Sequence, residues 1–136
     1  MDLKGSKIIL TGGSSGLGKQ TAKDLIAKGA ELIITGRDKD KLTKVALELG
    51  CVAFHADVSI EEEAKATVDF AKESWSGLDV LINNEGYAEW GLIAELDINK
   101  MKEVYNTNVF GCLLYTSDAA DDSLRVDLGG RRIIKK

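Results

Sequence analysis

Four short apolar runs alternate with stretches of helical period, and glycines punctuate the changes between them. The runs are Lys7–Thr11 (KIILT), Glu31–Thr35 (ELIIT), Cys51–Ala56 (CVAFHA) and Leu78–Asn83 (LDVLIN). Each reads as a short strand buried within a sheet. Between the first two, Gly16–Lys28 spaces Leu17, Thr21, Ala22, Leu25 and Ile26 as a helix would, and Gly29 is a natural stop. Asp38–Leu49 repeats the pattern, with Leu42, Val45, Ala46 and Leu49 on one face and Gly50 behind them. Ser59-Ile60-Glu61-Glu62 is a capping-box pattern that predicts a third helix running toward Trp75. A fourth helix is predicted from about Ile98 to Leu114. Strands and helices alternating at these lengths are βαβ units, whose right-handed crossovers place helices on both faces of a parallel sheet. The predicted fold is therefore α/β, a doubly wound parallel sheet truncated after about four strands.

Size and charge narrow the function classes. With 136 residues, the chain has room for one domain with a real core. Hydrophobic residues make up 44% and charged residues 29%, an ordinary globular balance. No apolar run approaches the roughly 18–20 residues that a membrane helix needs, and the apolar stretch after MDLKGSK is too short for a signal peptide. Cys51 and Cys112 lie far apart and fit neither metal nor redox spacing, so a reduced, cytoplasmic protein with no metal is expected. Residues 1–111 hold 13 Lys/Arg against 18 Asp/Glu. An acidic body without a clustered basic face argues against nucleic acid as a partner.

Thr11-Gly12-Gly13-Ser14-Ser15-Gly16-Leu17-Gly18 stands between the first strand and the first helix. A pyrophosphate requires close backbone approach, unpaired N–H donors and the positive end of a helix dipole. Glycines at 12, 16 and 18 remove the side chains that would obstruct it, and Ser14 and Ser15 add hydroxyl donors. The second strand ends Thr35-Gly36-Arg37. An acidic residue at this point would accept from an adenosine ribose and select NAD, but here a guanidinium suited to a 2′-phosphate stands instead. NADP is therefore expected in preference to NAD. Asp57, at the carboxyl end of the third strand, is placed for an adenine-edge contact. His55, the only histidine, has no visible partner and reads as a half-buried strand residue. The acidic run Glu61–Glu63 complements a helix dipole rather than forming a metal site.

Taken together, these residues resemble the short-chain dehydrogenase/reductase family over residues 1–111. Thr11–Gly18 matches its Thr-Gly-x-x-x-Gly-x-Gly motif, and Asp57-Val58 matches the pair that contacts adenine. Asn83-Asn84-Glu85-Gly86 resembles its Asn-Asn-Ala-Gly, and Asn108-Val109-Phe110-Gly111 its Asn-Val-x-Gly. The resemblance implies a Rossmann-like NAD(P)-binding domain, of which residues 1–114 are the N-terminal half. It implies hydride transfer between NADP(H) and a small-molecule alcohol or carbonyl, with a 3-oxoacyl reductase-like activity as one instance, and a homo-oligomeric full-length parent. It also implies cofactor contacts from Gly12, Ser14, Ser15, Gly16, Leu17, Gly18, Arg37, Asp57, Val58, Asn84 and Gly86. The family uses a Tyr-x-x-x-Lys pair as acid/base, a Ser that orients substrate and an Asn that supports a relay water. Only the Asn is carried over, to Asn108. Tyr87, Tyr105 and Tyr115 are followed four positions on by Gly91, Val109 and Ala119, so no Tyr-x-x-x-Lys exists in this sequence. Glu85 departs from the family's small Ala and is expected to crowd the cofactor and set a carboxylate near its phosphates.

Beyond Gly111 the resemblance fails. Residues 115–136 are expected to be a non-native tail, similar to a translated sequencing-adapter or vector artefact. On this reading the fourth strand is left as an unpaired edge, and the chain is an inactive, aggregation-prone fragment. A non-catalytic NADP(H)-binding module and a gene-prediction artefact without a role are the alternatives.

Overall fold

The computed structural model describes residues 3–120 and the pair Arg125–Val126. Most of the expected foreign tail lies outside the described residues. The elements are β1 (Lys7–Leu10), α1 (Gly16–Ala27), β2 (Glu31–Gly36), α2 (Lys39–Leu49), β3 (Val52–His55), α3 (Glu61–Trp75), β4 (Val80–Ile82), α4 (Ile98–Tyr105), α5 (Gly111–Ala120) and β5 (Arg125–Val126). All strand pairings are parallel, in the order β3-β2-β1-β4-β5. The expected four-strand α/β arrangement is present, with each strand within two residues of its predicted bounds.

Alternation along the central strands divides the core into two layers. Ile8, Leu10, Leu32 and Ile34 point to one face, where they pack with Ala22 of α1 and Leu42, Val45 and Ala46 of α2. Ile9, Ile33 and Leu81 point to the other, against Ala64, Val68 and Ala71 of α3 and Tyr115 of α5. Strands covered on both faces need apolar residues at successive positions, which is why KIIL and LII read as unbroken runs.

Four expectations are corrected by the structure. The capping box does not form: α3 begins at Glu61 with Ile60 as its N-cap. Ser59 instead bonds to the Asp57 carboxylate, through its amide at 2.9 Å and its hydroxyl at 2.6 Å. Glu63, one position beyond the predicted partner, reaches back to the Asp57 amide at 2.6 Å. The tight turn after β3 makes Asp57 the local acceptor, and Ser59 is recruited to it. The single helix predicted over Ile98–Leu114 is interrupted by a π-helical stretch, Asn106–Phe110, before α5 continues. An inserted residue of this kind is invisible to a 3.6-residue periodicity.

His55 is exposed rather than half-buried, because β3 is the sheet edge; its Nε2 lies 2.8 Å from the Arg37 carbonyl. Finally, β4 is not left wholly unpaired. Arg125–Val126 pairs with Val80 and Leu81, satisfying backbone groups that an open edge would expose. Leu81 is 1% exposed and Tyr115 is fully buried. The Tyr115 hydroxyl lies 3.1 Å from Thr67 Oγ1, which also donates to the Glu63 carbonyl at 2.8 Å. α5 is thereby pinned to α3.

Replacing Tyr115 with Ala is expected to lower unfolding stability by about 3–5 kcal/mol, the usual cost of deleting a buried aromatic. Tyr115→Phe should cost only about 0.5–1.5 kcal/mol, the net value of one hydrogen bond. Urea denaturation of the two variants measures both. A Tyr115→Ala effect below about 1 kcal/mol would show that α5 is not docked on α3.

Candidate functional site

The strand order reverses at β1: β2 and β3 lie to one side, and the chain then crosses to place β4 on the other. In open α/β sheets such a switch point, at the carboxyl ends of the strands, leaves a crevice. The segments entering it here are the turn after β1, Arg37 after β2, Asp57-Val58 after β3 and Asn83–Tyr87 after β4.

Thr11 ties the first of these to the last. It is 1% exposed, and its Oγ1 accepts from the amides of Asn84 at 3.0 Å and Glu85 at 3.1 Å. Its own amide donates to the Ile82 carbonyl at 3.0 Å. The Asn84 side-chain amide returns the link, donating to the carbonyls of Thr11 at 3.0 Å and Gly12 at 3.3 Å. Thr11 was not singled out as a site residue by sequence reasoning. The available signal was a hydroxyl residue at the last position of an apolar strand, directly before the glycines.

The turn then leads into α1 without a side-chain cap. Ser15 is the N-cap in extended backbone, its hydroxyl makes no cap bond, and no acidic residue stands in the first turn. The amides opening α1 are left for another acceptor. Gly12 has φ +67°, a conformation that L residues rarely adopt. Gly18 has no room for a side chain: a Cβ there would overlap the Gly12 carbonyl and lie 2.6 Å from Asn84 Nδ2. Gly16, Ser15 and Leu17 are exposed, and Ser14 is half-buried beside Gly36. The turn is also held to β2, since the Gly13 amide donates to the Thr35 carbonyl at 3.0 Å.

A cleft of about 460 Å³ opens between the segments that follow β2, β3 and β4 and the end of α4, lined by Arg37, Asp57, Ser59, Tyr87, Glu103 and Thr107 among others. Arg37 and Asp57 are therefore brought to one opening, as the sequence implied. Val58 is 3% exposed and packs in the core, so its contribution to a ligand is limited to its backbone. Asn84 spends its side chain on the turn rather than on the cleft. Gly86 is exposed, with Asn108 Oδ1 3.7 Å from where its Cβ would stand.

Asn108 lies in the π-helical stretch and clamps the loop after β4. Its Oδ1 accepts from the Tyr87 amide at 2.8 Å, and its Nδ2 donates to the Tyr87 carbonyl at 2.7 Å. The Tyr87 hydroxyl donates to Glu89 at 2.6 Å, and Glu89 also pairs with Lys100 at 2.8 Å. The Glu89 contact holds the Tyr87 hydroxyl above its ordinary pKa, with desolvation adding to it. Held by its backbone to Asn108 and by its hydroxyl to Glu89, Tyr87 behaves as a bracing residue.

Glu85 turns toward Arg37. Its carboxylate lies 3.6 Å from Arg37 Nε, with the Glu85 side chain 10% exposed and that of Arg37 58% exposed. Burial pushes the Glu85 carboxyl above its ordinary pKa, Arg37 pulls it down, and Asp57 adds to the rise. Among the described residues no group of three or more His, Cys, Asp or Glu gathers as a metal site would require, and no helix is long and apolar enough to cross a membrane.

The fold recurs in known proteins. Residues 6–134 match the family described as short chain dehydrogenase. Among curated relatives, 11-beta-hydroxysteroid dehydrogenase 1A of Arabidopsis thaliana is 37% identical over 135 residues, covering 94% of this chain and 38% of its own. Zerumbone synthase of Zingiber zerumbet is 32% identical over 126 residues, covering 88% of this chain and 47% of its own. The chain thus spans half or less of the length of these relatives. Among solved structures, a short chain dehydrogenase from Burkholderia cenocepacia in complex with NADP superposes with TM-score 0.84 at 29% identity, covering 90% of this chain and 52% of that one. A short-chain type dehydrogenase/reductase from Mycobacterium ulcerans gives TM-score 0.85 at 27% identity, over 90% of this chain and 48% of its own. With the glycine turn, the strand order and the family match in agreement, the chain belongs to the short-chain dehydrogenase family.

Proposed function

We propose that this chain is the cofactor-binding half of an NADP-preferring short-chain oxidoreductase acting on a small-molecule alcohol or carbonyl. The observation that carries this reading is the uncapped N-terminus of α1, reached over side-chain-free Gly12 and Gly18, with the Arg37 guanidinium at the same end of the sheet. A dinucleotide fits that arrangement. The amides of Gly16, Leu17 and Gly18 and the hydroxyls of Ser14 and Ser15 meet the pyrophosphate, where the helix dipole favours negative charge. Arg37 takes the 2′-phosphate, which a guanidinium binds with paired hydrogen bonds. Asp57 and the Val58 backbone would border the adenine, and Gly86 would leave room for the ribose and phosphates, while Asn84 holds the turn in place for them. The neighbour from Burkholderia cenocepacia, which holds NADP, supports the choice of cofactor.

When bound, the cofactor supplies the hydride and the chain supplies position. Asn108 occupies the family position for a residue that supports a relay water. Its side-chain clamp on Tyr87 fixes the loop that would border the substrate. No Tyr-x-x-x-Lys occurs within the 136 residues, so the polypeptide by itself binds nucleotide without turning it over. That absence equally favours a second reading, a non-catalytic NADP(H)-binding module. The two share the site and differ in whether a catalytic Ser, Tyr and Lys continue the gene. The parent is read as a cytoplasmic homo-oligomer, and a 3-oxoacyl compound is one substrate of the proposed class.

Titration calorimetry with NADP and NAD tests the cofactor assignment. Arg37→Gln is expected to weaken NADP binding by roughly tenfold or more while changing NAD binding less than about twofold, since a charge-assisted contact to phosphate contributes about 1.5–3 kcal/mol. Equal losses for both nucleotides would overturn the 2′-phosphate role. Gly18→Ala should abolish binding of both and lower stability by about 1–3 kcal/mol, the cost of forcing a methyl group into a filled site. The 136-residue chain incubated with NADPH and a panel of ketones should show no oxidation at 340 nm, the usual absorbance of the reduced nicotinamide. Measurable turnover would place the acid/base pair within this chain.

A further inference from the structure

Arg37 is shared. Its neighbour Glu85 comes from the loop after β4, on the far side of β1, and its backbone is fixed by the Thr11 hydroxyl at 3.1 Å. The loop packs directly on the glycine turn: a Cβ at Gly12 would stand 3.1 and 3.3 Å from the Glu85 Cα and Cβ, so the missing side chain is what admits Glu85 here. Its Oε1 faces Arg37 Nε at 3.6 Å, an ion-pair distance too long for a good hydrogen bond. Its Oε2 is buried and has no hydrogen-bond partner. A desolvated carboxylate in this state is costly, and each buried oxygen without a donor adds to the cost.

We propose that Glu85 is a specificity-determining residue for the adenosine ribose, opposing a 2′-phosphorylated nucleotide and favouring one with a free 2′-hydroxyl. The proposal rests on the reading that Arg37 faces the 2′ position. A 2′-phosphate that reaches Arg37 shares the guanidinium with Glu85 and lies beside a carboxylate held in a low-dielectric site, where like charges repel more strongly than in water. A 2′-hydroxyl carries no such charge and offers an O–H donor to a carboxylate that is short of hydrogen bonds. Both effects act in the same direction. The position after β2 lacks the acidic residue that selects a ribose hydroxyl, and the structure returns a carboxylate to that place from a different loop. Arg37 and Glu85 thus pull the choice of nucleotide in opposite directions. Burial raises the Glu85 pKa, and Arg37 partly offsets it, which agrees with a carboxylate incompletely compensated by its one cationic neighbour here.

The test measures calorimetric affinities for 2′,5′-ADP and 5′-AMP in five forms of the full chain: the parent, Glu85→Gln, Glu85→Ala, Arg37→Gln and the Arg37→Gln/Glu85→Gln pair. Circular dichroism melts accompany each form to show that it is folded. Both Glu85 variants are expected to raise the affinity ratio of 2′,5′-ADP to 5′-AMP by roughly 3- to 10-fold, the scale of one partly screened charge interaction. The rise should be smaller when Arg37 is already Gln, because competition for the guanidinium is then gone. An unchanged or lower ratio in both Glu85 variants overturns the proposal. An equal rise in both Arg37 backgrounds also overturns it, since Glu85 would then act independently of Arg37. If Arg37→Gln itself leaves the ratio unaltered, the underlying reading of the site fails instead, a pattern distinct from failure at Glu85 alone.

Discussion

The hydrogen bonds around Thr11 hold the crevice together. One buried hydroxyl accepts two amides from the loop after β4, while Asn84 donates back to the two carbonyls that begin the glycine turn. Without this link the turn and the loop would be separate excursions from neighbouring strands. With it, the two sides of the switch point form one rigid unit, and Gly12 and Gly18 are fixed at van der Waals contact. The absence of side chains at those positions then has two consequences. The backbone can close on itself, and its amides remain accessible at the start of α1.

The remaining elements serve this unit. Two apolar layers grip the sheet, one through α1 and α2 and the other through α3 and α5. Asn108, displaced onto a π-helical stretch, turns its amide into a clamp on Tyr87 and carries the rigidity into the loop beyond Gly86. Asp57 and Glu103 also line the cleft, but Glu85 is the carboxylate that stands buried against Arg37. It places negative charge where the glycine turn, the α1 dipole and Arg37 all favour an incoming phosphate. A carboxylate tolerated there at the cost of a buried unpaired oxygen is a local disagreement with the rest of the site, and such disagreements commonly mark specificity.

Much of the fold was legible because parallel strands covered on both faces must be apolar at consecutive positions. KIIL, ELIIT and VLI could hardly be read otherwise, and Gly29 and Gly50 ended the helices before β2 and β3. The glycine turn was legible for the same reason, since few other purposes require so many missing side chains between a strand and a helix. The failures have physical causes as well. His55 looked half-buried because the edge position of β3 is a property of strand order, which local pattern does not contain. The π-helical insertion in Asn106–Phe110 was hidden because one extra residue in a turn leaves the apolar pattern nearly intact. The pairing of Arg125–Val126 with β4 was missed because two residues are too few to show a period.

Local chemistry therefore fixed the elements, the turn and the residue types available at the carboxyl ends of the strands. Periodicity, steric freedom at glycine and helix polarity act within a few residues and can be read along the chain. Only folding decided which of those residues meet. Thr11 and Asn84 become partners because β1 and β4 are adjacent in the sheet, although two further strands and three helices separate them in the chain. Arg37 and Glu85 come together across β1 for the same reason. Read by itself, the end of β2 lacks a carboxylate and favours a 2′-phosphate. The sheet restores a carboxylate to that place, because electrostatic energy depends on distance through space and not on separation along the chain.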